Sequence, residues 1–352
     1  MKIHLIANDG SPIGVTPPII DGRGVGGAEL AMMSLMRVLA KRGHEVTVYN
    51  DPDHPGTYDG VAYRALAEFI TEHPRDILLI FRSPNPRVFH TRIPTKQRTI
   101  FWSTDQFTVG DFHQLGQRVD YVVTISPFHT NYHHAHYGIP LTKMGHIDIG
   151  VRAWEYKNKD VIKKVAYRLI YCSIPDRGLA ELLRAWPQIK EKVPDASLVI
   201  TSDYRLWGST SANNTKHRLA WMGQKDVSFL GRIPRKELIK HQLQAEILSY
   251  PCTYDELFCI SAAECQIAGA LPITSDRGAL TTTNEFGQII AGNPASDLWI
   301  ELFSNRIIET LTADRESLQD KQARMQLGAE RRFSYEKVAE RWEELFERGK
   351  LA

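Results

Sequence analysis

The sequence predicts an α/β protein built from two doubly wound parallel-sheet units in tandem. Three observations carry that prediction. Short apolar segments of strand character alternate with helical segments along the chain, the pattern of βαβ units. A polar stretch at 151–164, with Lys157, Lys159, Lys163 and Lys164, interrupts the series once. The 352 residues suit two domains of about 100–200 residues each.

Ile3 to Ala7 reads as a buried strand, and a loop containing Pro12, Pro17 and Pro18 follows it. Residues 28–40, rich in Ala, Leu and Met, read as a helix stopped by Lys41, Arg42 and Gly43. A strand at 44–49, a helix at 62–71 and strands at 77–81, 99–102 and 121–125 continue the series. A helix from Pro127 and a strand at 144–149 complete the first unit. The second unit opens with a strand at 165–172. It adds strands at 198–201, 227–230, 247–250 and 271–274, with helices at 179–192, 236–244 and 261–268. Tyr335, Val338, Trp342, Leu345 and Phe346 recur at helical spacing, so the last element is an amphipathic helix. The expected bounds are 1–155, 156–330 and, for the last helix, 331–352.

With 43% hydrophobic and 24% charged residues the chain is globular, and collagen-like, disordered and coiled-coil classes are excluded. A net charge of +2 gives no electrostatic case for nucleic acid as a partner. The first residues turn polar too early for a signal peptide. The longest apolar burst, Ile77 to Phe81, is far short of the ~20 residues that span a bilayer. Cys172, Cys252, Cys259 and Cys265 show no C-x-x-C spacing and read as buried or idle thiols in a reducing compartment. A cytoplasmic chain without a transmembrane segment is expected, able to sit peripherally at a membrane surface.

Open parallel sheets bind ligands outside the carboxyl ends of their strands, so the residues that follow strands are the ones to read for chemistry. Gly22, Gly24 and Gly27 formally match a dinucleotide fingerprint, with Asp51 as its ribose-binding acid; that raises an NAD(P)-dependent oxidoreductase as the alternative. The proline-containing loop cannot make the tight turn that the fingerprint needs. What survives is a glycine-rich helix start whose N–H groups, with Arg23, meet an anion. Arg177, just before a helix at a strand's end, is placed to bind a diphosphate; a plain surface arginine is the competing reading.

The segment from Tyr250 to Glu264 is the most informative. On one continuous helix Glu256 and Glu264 would stand about 80° apart, so Glu256 reads as a loop residue and Glu264 as helical. The N–H groups near Cys259 and Ile260 then point at an anion. Glu264 accepts hydrogen bonds from ribose hydroxyls, and Glu256 reaches a sugar beyond the phosphates. Glu264 sits in an otherwise apolar, Ala-rich helix, which solvation does not explain.

Together these segments resemble the family-four retaining glycosyltransferases of GT-B fold, which use nucleotide-sugar donors. The resemblance runs through Gly26-Gly27-Ala28-Glu29, Val123-Thr124-Ile125-Ser126-Pro127-Phe128 and Ile149-Gly150-Val151-Arg152. It continues in Asp176-Arg177-Gly178-Leu179, Phe229-Leu230-Gly231-Arg232-Ile233, the Glu256/Glu264 pair and Ala268-Gly269-Ala270-Leu271-Pro272-Ile273. It implies two Rossmann-like domains with an interdomain cleft, an acceptor-side N-terminal domain, a donor-binding C-terminal domain and a last helix that packs back on the first. It implies that Arg177 binds the donor diphosphate, Glu264 the ribose and Glu256 the transferred sugar. The backbone at Gly231 and Arg232 flanks the base. Phe258, Cys259 and Ile260 line the donor, the loop 278–282 lies near it, and Gly26 and Gly27 close over the diphosphate. No cofactor and no metal are implied beyond the nucleotide diphosphate sugar as co-substrate. The acceptor, a glycan, a lipid-linked or a small molecule, stays open, as does homo-oligomerisation.

Three departures from the family pattern stand out. Ser173 occupies a region where a basic residue is common, with Arg232 or Arg23 as substitutes. Cys259 replaces a glycine, and Trp102-Ser103-Thr104-Asp105 stands where many members carry a histidine. Asp105 is therefore the first-domain catalytic candidate. The first two departures also motivate a non-catalytic nucleotide-sugar-binding protein as a further alternative. His129, His133, His134 and His136 read as a solvated helix face rather than a metal site. Arg82, Arg87, Arg92, Lys96 and Arg98, without an intervening acid, read as a solvated edge or as an attractor for an anionic or membrane-associated acceptor.

Overall fold

In the computed structural model, residues 1–7, 14–21, 25–69, 74–82, 98–106, 112–201, 203 and 222–351 are described. The chain divides into two compact units. One comprises Met1–Ile20, Gly27–Gly150 and Tyr335–Ala352; the other comprises Asp21–Gly26 and Val151–Ser334.

The first unit carries strands β1 (Lys2–Ile6), β2 (Glu45–Tyr49), β3 (Gly56–Tyr58), β4 (Val61–Arg64), β5 (Ile77–Phe81), β6 (Arg98–Trp102), β7 (Tyr121–Thr124) and β8 (Met144–His146). They lie in the order β3-β4-β2-β1-β5-β6-β7-β8, parallel throughout except for β3 against β4. Helices α1 (Pro18–Asp21), α2 (Gly27–Lys41), α3 (Phe112–Arg118) and α4 (Pro127–Tyr137) belong to the connections. β5 is buried at every residue, as a strand covered on both faces must be. Ser126 caps α4 through the His129 N–H at 3.0 Å, and Gly138 ends it in the left-handed region.

The helix expected at 62–71 is a correction. Val61 and Tyr63 are buried while Ala62 and Arg64 are half-buried, an alternation of period two that makes β4. Asp59 and Gly60, both at positive φ, form the two-residue turn that pairs β4 with β3. Among the described residues of that segment, only Leu66–Glu68 turns helical, as a short 3₁₀ segment.

The second unit carries β9 (Arg168–Tyr171), β10 (Ser197–Ile200), β11 (Val227–Phe229), β12 (Ile247–Tyr250), β13 (Leu271–Ser275) and β14 (Gln288–Ile290). Its order, β11-β10-β9-β12-β13-β14, is parallel throughout and is that of a doubly wound sheet. Among the described residues its α-helices are α5 (Leu179–Lys192), α6 (Arg235–Gln244), α7 (Ile260–Ile267), α8 (Leu280–Thr283), α9 (Asp297–Thr312) and α10 (Arg315–Phe333). One core joins Leu169, Leu182, Trp186, Leu198, Ile247, Cys265, Ile273 and Phe303.

Helix α11 (Tyr335–Arg348) returns to the first unit. It buries Val338, Trp342, Leu345 and Phe346, with the Trp342 and Trp102 rings 5.1 Å apart, edge to face. Arg42 makes two hydrogen bonds to Glu343, and Arg98 donates to the terminal carbonyls of Leu345 and Phe346, where a cation suits the helix end. Arg98 is thus not part of a solvated edge. Arg87, Arg92 and Lys96 lie outside the described residues. No described helix is long and apolar enough to cross a membrane.

Candidate functional site

In the second sheet the chain builds β9, β10 and β11 to one side and then returns to place β12 on the other flank of β9. Ligands of such sheets bind in the crevice at this reversal. The segments that follow β9 and β12 carry Arg177 and Glu256, and the structure joins them.

Arg177 Nη1 donates to both Glu256 carboxylate oxygens, at 2.9 and 3.0 Å, and its guanidinium carbon lies 4.6 Å from the centre of the Tyr254 ring. Burial, the largest influence, acts to lower the Arg177 pKa, but the Glu256 carboxylate together with Tyr250, Cys259 and Cys252 outweighs it, so the guanidinium stays charged well above its ordinary value. Glu256 is 5% exposed and also accepts from the Tyr250 hydroxyl. Burial, then the Glu256 charge, pushes the Tyr250 phenol well above its usual range, which keeps it a donor. Its proton is committed to Glu256, so Ser173 Oγ, 3.1 Å away, donates to the phenol oxygen. Ser173 thereby extends a chain of hydrogen bonds that ends on the Arg177–Glu256 pair.

Two glycines hold these segments together. Gly178, at φ +112°, lies against the Pro251 carbonyl, and Gly278, at φ +55°, lies against the Glu256 backbone. Beside Gly278, the Ala279 N–H donates to the Glu256 carbonyl at 2.7 Å. Ser261 Oγ, in the first turn of α7, donates to the Cys172 carbonyl at 2.8 Å and ties the helix start to the segment after β9. Cys259 precedes α7 in the left-handed region, φ +72°, the conformation that explains why a glycine suits this position. Burial raises the Cys259 thiol well above its usual range and pushes Cys252 up to about 12, so neither is a nucleophile at neutral pH.

Glu264 sits on α7 at 4% exposure in a buried polar network. Its Oε1 pairs with Arg235 Nη2 at 2.8 Å and its Oε2 accepts from Gln242 Nε2 at 3.0 Å. The Tyr156 hydroxyl donates to Gln242 at 2.6 Å, and Arg235 Nε donates to Glu155 at 2.5 Å. Arg235, Gln242, Glu155 and Tyr156 went unnoticed in the sequence, and Tyr250 was named there without a role. Tyr250 ends a strand and so carried a signal; Arg235 lies in a charged helix start and carried none.

The other named residues are dispersed. Gly231 and Arg232 follow β11, the edge strand, and the Arg232 N–H donates to buried Asp203 at 3.0 Å. Phe258 is buried, its ring 5.9 Å from that of Phe333, while Ile260 opens α7 half-buried. Gly26 groups with the second unit and Gly27 with the first. Gly22, Arg23 and Gly24 lie outside the described residues. Asp51, the acid of the dinucleotide reading, accepts the Leu66 N–H at 2.6 Å.

In the first unit, Asp105 follows β6. Its carboxylate pairs with Arg82 Nε, and Arg82 Nη1 pairs with Glu29 at 2.8 Å. Arg82 is therefore engaged by acids from other segments rather than solvated. Burial raises the Asp105 pKa, and Arg82 opposes that rise. The expected solvated histidine face needs correction as well. His129 and His133 are buried, with ring centroids 4.3 Å apart, and only His134 and His136 are exposed. The Ile125 N–H points to His129 Nδ1 at 3.5 Å, so Nε2 carries the proton and donates to the Asp105 carbonyl at 3.2 Å. His133 Nε2 lies 2.7 Å from Ser103 Oγ. Among the described residues, no group of three or more His, Cys, Asp or Glu side chains is arranged to hold a metal ion.

Residues 159–325 match the family model described as glycosyl transferases group 1. Over 145 residues the chain is 30% identical to a GDP-mannose-dependent monoacylated alpha-(1-6)-phosphatidylinositol monomannoside mannosyltransferase of Corynebacterium glutamicum. That match covers 38% of this chain and 36% of that protein, little more than a third of each. Sucrose-phosphate synthase of Thermosynechococcus elongatus has a similar fold, with a TM-score of 0.74, 16% identity and 98% of both chains covered. So does HepE of Anabaena in complex with UDP-glucose, with a TM-score of 0.69, 16% identity and 99% of both chains covered. Most of the second unit thus matches the group 1 glycosyl transferase model, and the chain has the GT-B fold.

Proposed function

We propose that this chain transfers a glycosyl group from a nucleotide diphosphate sugar to an acceptor hydroxyl, with retention of configuration. The observation that carries the reading is the Arg177–Glu256 pair at the reversal of a doubly wound sheet, beside the start of α7. Breaking the anomeric C–O bond leaves negative charge on the departing phosphate. Arg177 and the N-terminus of α7, with the N–H groups near Cys259 and Ile260, stabilise that charge without a metal ion. Glu256, oriented by Tyr250 and Arg177, accepts from hydroxyls of the transferred sugar. Glu264 accepts from the ribose: an ionised carboxylate offers about four acceptor positions, and Arg235 and Gln242 use two. The backbone at Gly231 and Arg232 flanks the base, the loop 278–282 and the Gly26–Gly27 helix start flank the diphosphate, and Asp105 meets the acceptor hydroxyl. The donor phosphate accepts the hydroxyl proton on the face where the new bond forms.

Support for the donor class comes from the group 1 match and from the relatives, one named for GDP-mannose and one solved with UDP-glucose. The test is a thermal-shift screen of the full chain against GDP-mannose and UDP-, ADP- and CDP-sugars, followed by detection of free nucleoside diphosphate. A ligand of the native state raises the melting temperature by mass action. A rise with one nucleotide sugar but none with NADPH supports the reading. A rise with NADPH alone restores the oxidoreductase alternative, and donor binding without turnover across an acceptor panel favours the non-catalytic one.

A further inference from the structure

Among the described non-glycine residues of the first unit, Arg82 shares a positive φ with Asp51 and Asp59, and aspartate takes that region more readily than arginine does. Arg82 follows β5, the strand beside β1 where that sheet's order reverses, and it adopts φ +72°, a left-handed backbone that arginine rarely takes. Such strain persists where the surroundings over-determine it. Three partners do so here. The Arg82 N–H donates to the Trp102 carbonyl at 2.8 Å, its Nε donates to Asp105, and its Nη1 donates to Glu29 at 2.8 Å. The backbone of Asp105 is fixed separately, by the His129 Nε2–H on its carbonyl.

We propose that Arg82 is a positioning residue for the acceptor hydroxyl: it aims the Asp105 carboxylate, with Glu29 as a counterweight that shares the guanidinium. The proposal rests on the role given to Asp105 above. Its physical content is the charge balance of the cluster, one guanidinium between two carboxylates. A carboxylate taken from water resists ionisation, and an adjacent cation restores it. Glu29 pulls the other way, because a second negative charge nearby disfavours the first. The groups that face Asp105 among the described residues are Arg82 from the end of β5, Glu29 from α2, the neighbouring Thr104 hydroxyl and His129 from α4. Burial, aided by His133, holds His129 far below its ordinary range, so it contributes no charge at neutral pH. No proton needs to transfer to Asp105; a hydroxyl of the acceptor donates a hydrogen bond to it, and that fixes which lone pair faces the donor sugar.

Two substitutions shift the balance in opposite directions, which a merely structural role would not do. Arg82→Gln removes the cation, and Glu29→Gln removes the competing anion. The first readout is the ¹³C carboxyl titration of Asp105 in the full chain, assigned by its loss in Asp105→Asn. The second is the pH profile of nucleotide-sugar hydrolysis, with water as acceptor and the donor that the thermal-shift screen selects. The expected result is an Asp105 midpoint at higher pH in Arg82→Gln and at lower pH in Glu29→Gln, with the acid limb of hydrolysis moving the same way. Donor affinity stays within about twofold of the parent. Shifts of the same sign, or an acid limb unmoved in both variants while the parent hydrolyses donor, overturn the proposal and leave the glycosyl-transfer reading standing. If the parent neither binds nor hydrolyses any nucleotide sugar, the transfer reading fails. In that case equal Asp105 midpoints in parent and variants overturn the local claim as well.

Discussion

A Cβ built on Gly178 stands 2.1 Å from the carbonyl oxygen of Pro251. The turn that presents Arg177 is therefore pressed directly onto the backbone that leads to Glu256, and only a residue without a side chain permits the approach. Gly278 repeats the relationship on the other side, its Cβ position 2.3 Å from the Glu256 carbonyl.

Gly178→Ala is expected to cost about 2 kcal/mol or more, since the clash adds to a left-handed backbone that alanine disfavours. The control is Gly138→Ala, at φ +65° with nothing within 4 Å, which carries the backbone cost alone. Urea midpoints of the two variants should differ by the steric part.

The Arg177–Glu256 pair predicts a non-additive cycle. Arg177→Ala leaves Glu256 buried without its cation, and a loss of about 2–4 kcal/mol is expected for breaking a largely buried pair. Glu256→Gln alone is milder, because the amide still accepts from Tyr250. In the double variant the loss should be smaller than the sum of the two by about 1 kcal/mol or more, measured by denaturant unfolding.

Cys259 stores strain at the start of α7. The left-handed region costs a residue with a Cβ about 1–2 kcal/mol, which offsets glycine's greater unfolded-state entropy and the lost thiol burial. Cys259→Gly is accordingly expected within about 1 kcal/mol of the parent. Cys259→Val, β-branched, should fall by about 2 kcal/mol or more. Thermal unfolding of the three proteins checks the ranking Gly ≈ Cys > Val.

The buried histidines make the first unit acid-sensitive. Burial, then the neighbouring His136, lowers His133 to about 4, below the ordinary value of 6.5. The unfolded chain therefore takes up the proton first. This contribution to stability is complete above about pH 6.5 and is lost as pH falls toward 4, by about 3 kcal/mol at most. His129 acts in the same direction. Urea unfolding between pH 7.5 and 4.5 should show this slope, and His133→Gln should flatten it.

Much of this architecture is legible in the sequence because buried parallel strands are apolar runs. Ile77 to Phe81 and Ile247 to Tyr250 stand out against polar flanks, and the helix at 179–192 matches its expected bounds. The run from Val61 to Arg64 was misread because its alternation is too short to outweigh the Ala and Leu residues that follow. Arg177 and Glu256 were legible as candidates, since each follows a strand. Their contact was not, because it is made across two segments far apart in the chain. The burial of His129 was hidden for a related reason: its partner is the carbonyl of Asp105, contributed by another strand's end, and no periodicity records it. Arg235 shows the same limit, as only the folded chain brings it to Glu264.

Calorimetric titration of the full chain with the nucleotide sugar that the thermal-shift screen selects, repeated on Arg177→Ala and Glu264→Ala, tests the central claim most directly. That donor should bind at a single site, with affinity at least tenfold weaker in each variant, or about 1.4 kcal/mol. Affinity unchanged in both variants would contradict the assignment of Arg177 and Glu264 to the donor.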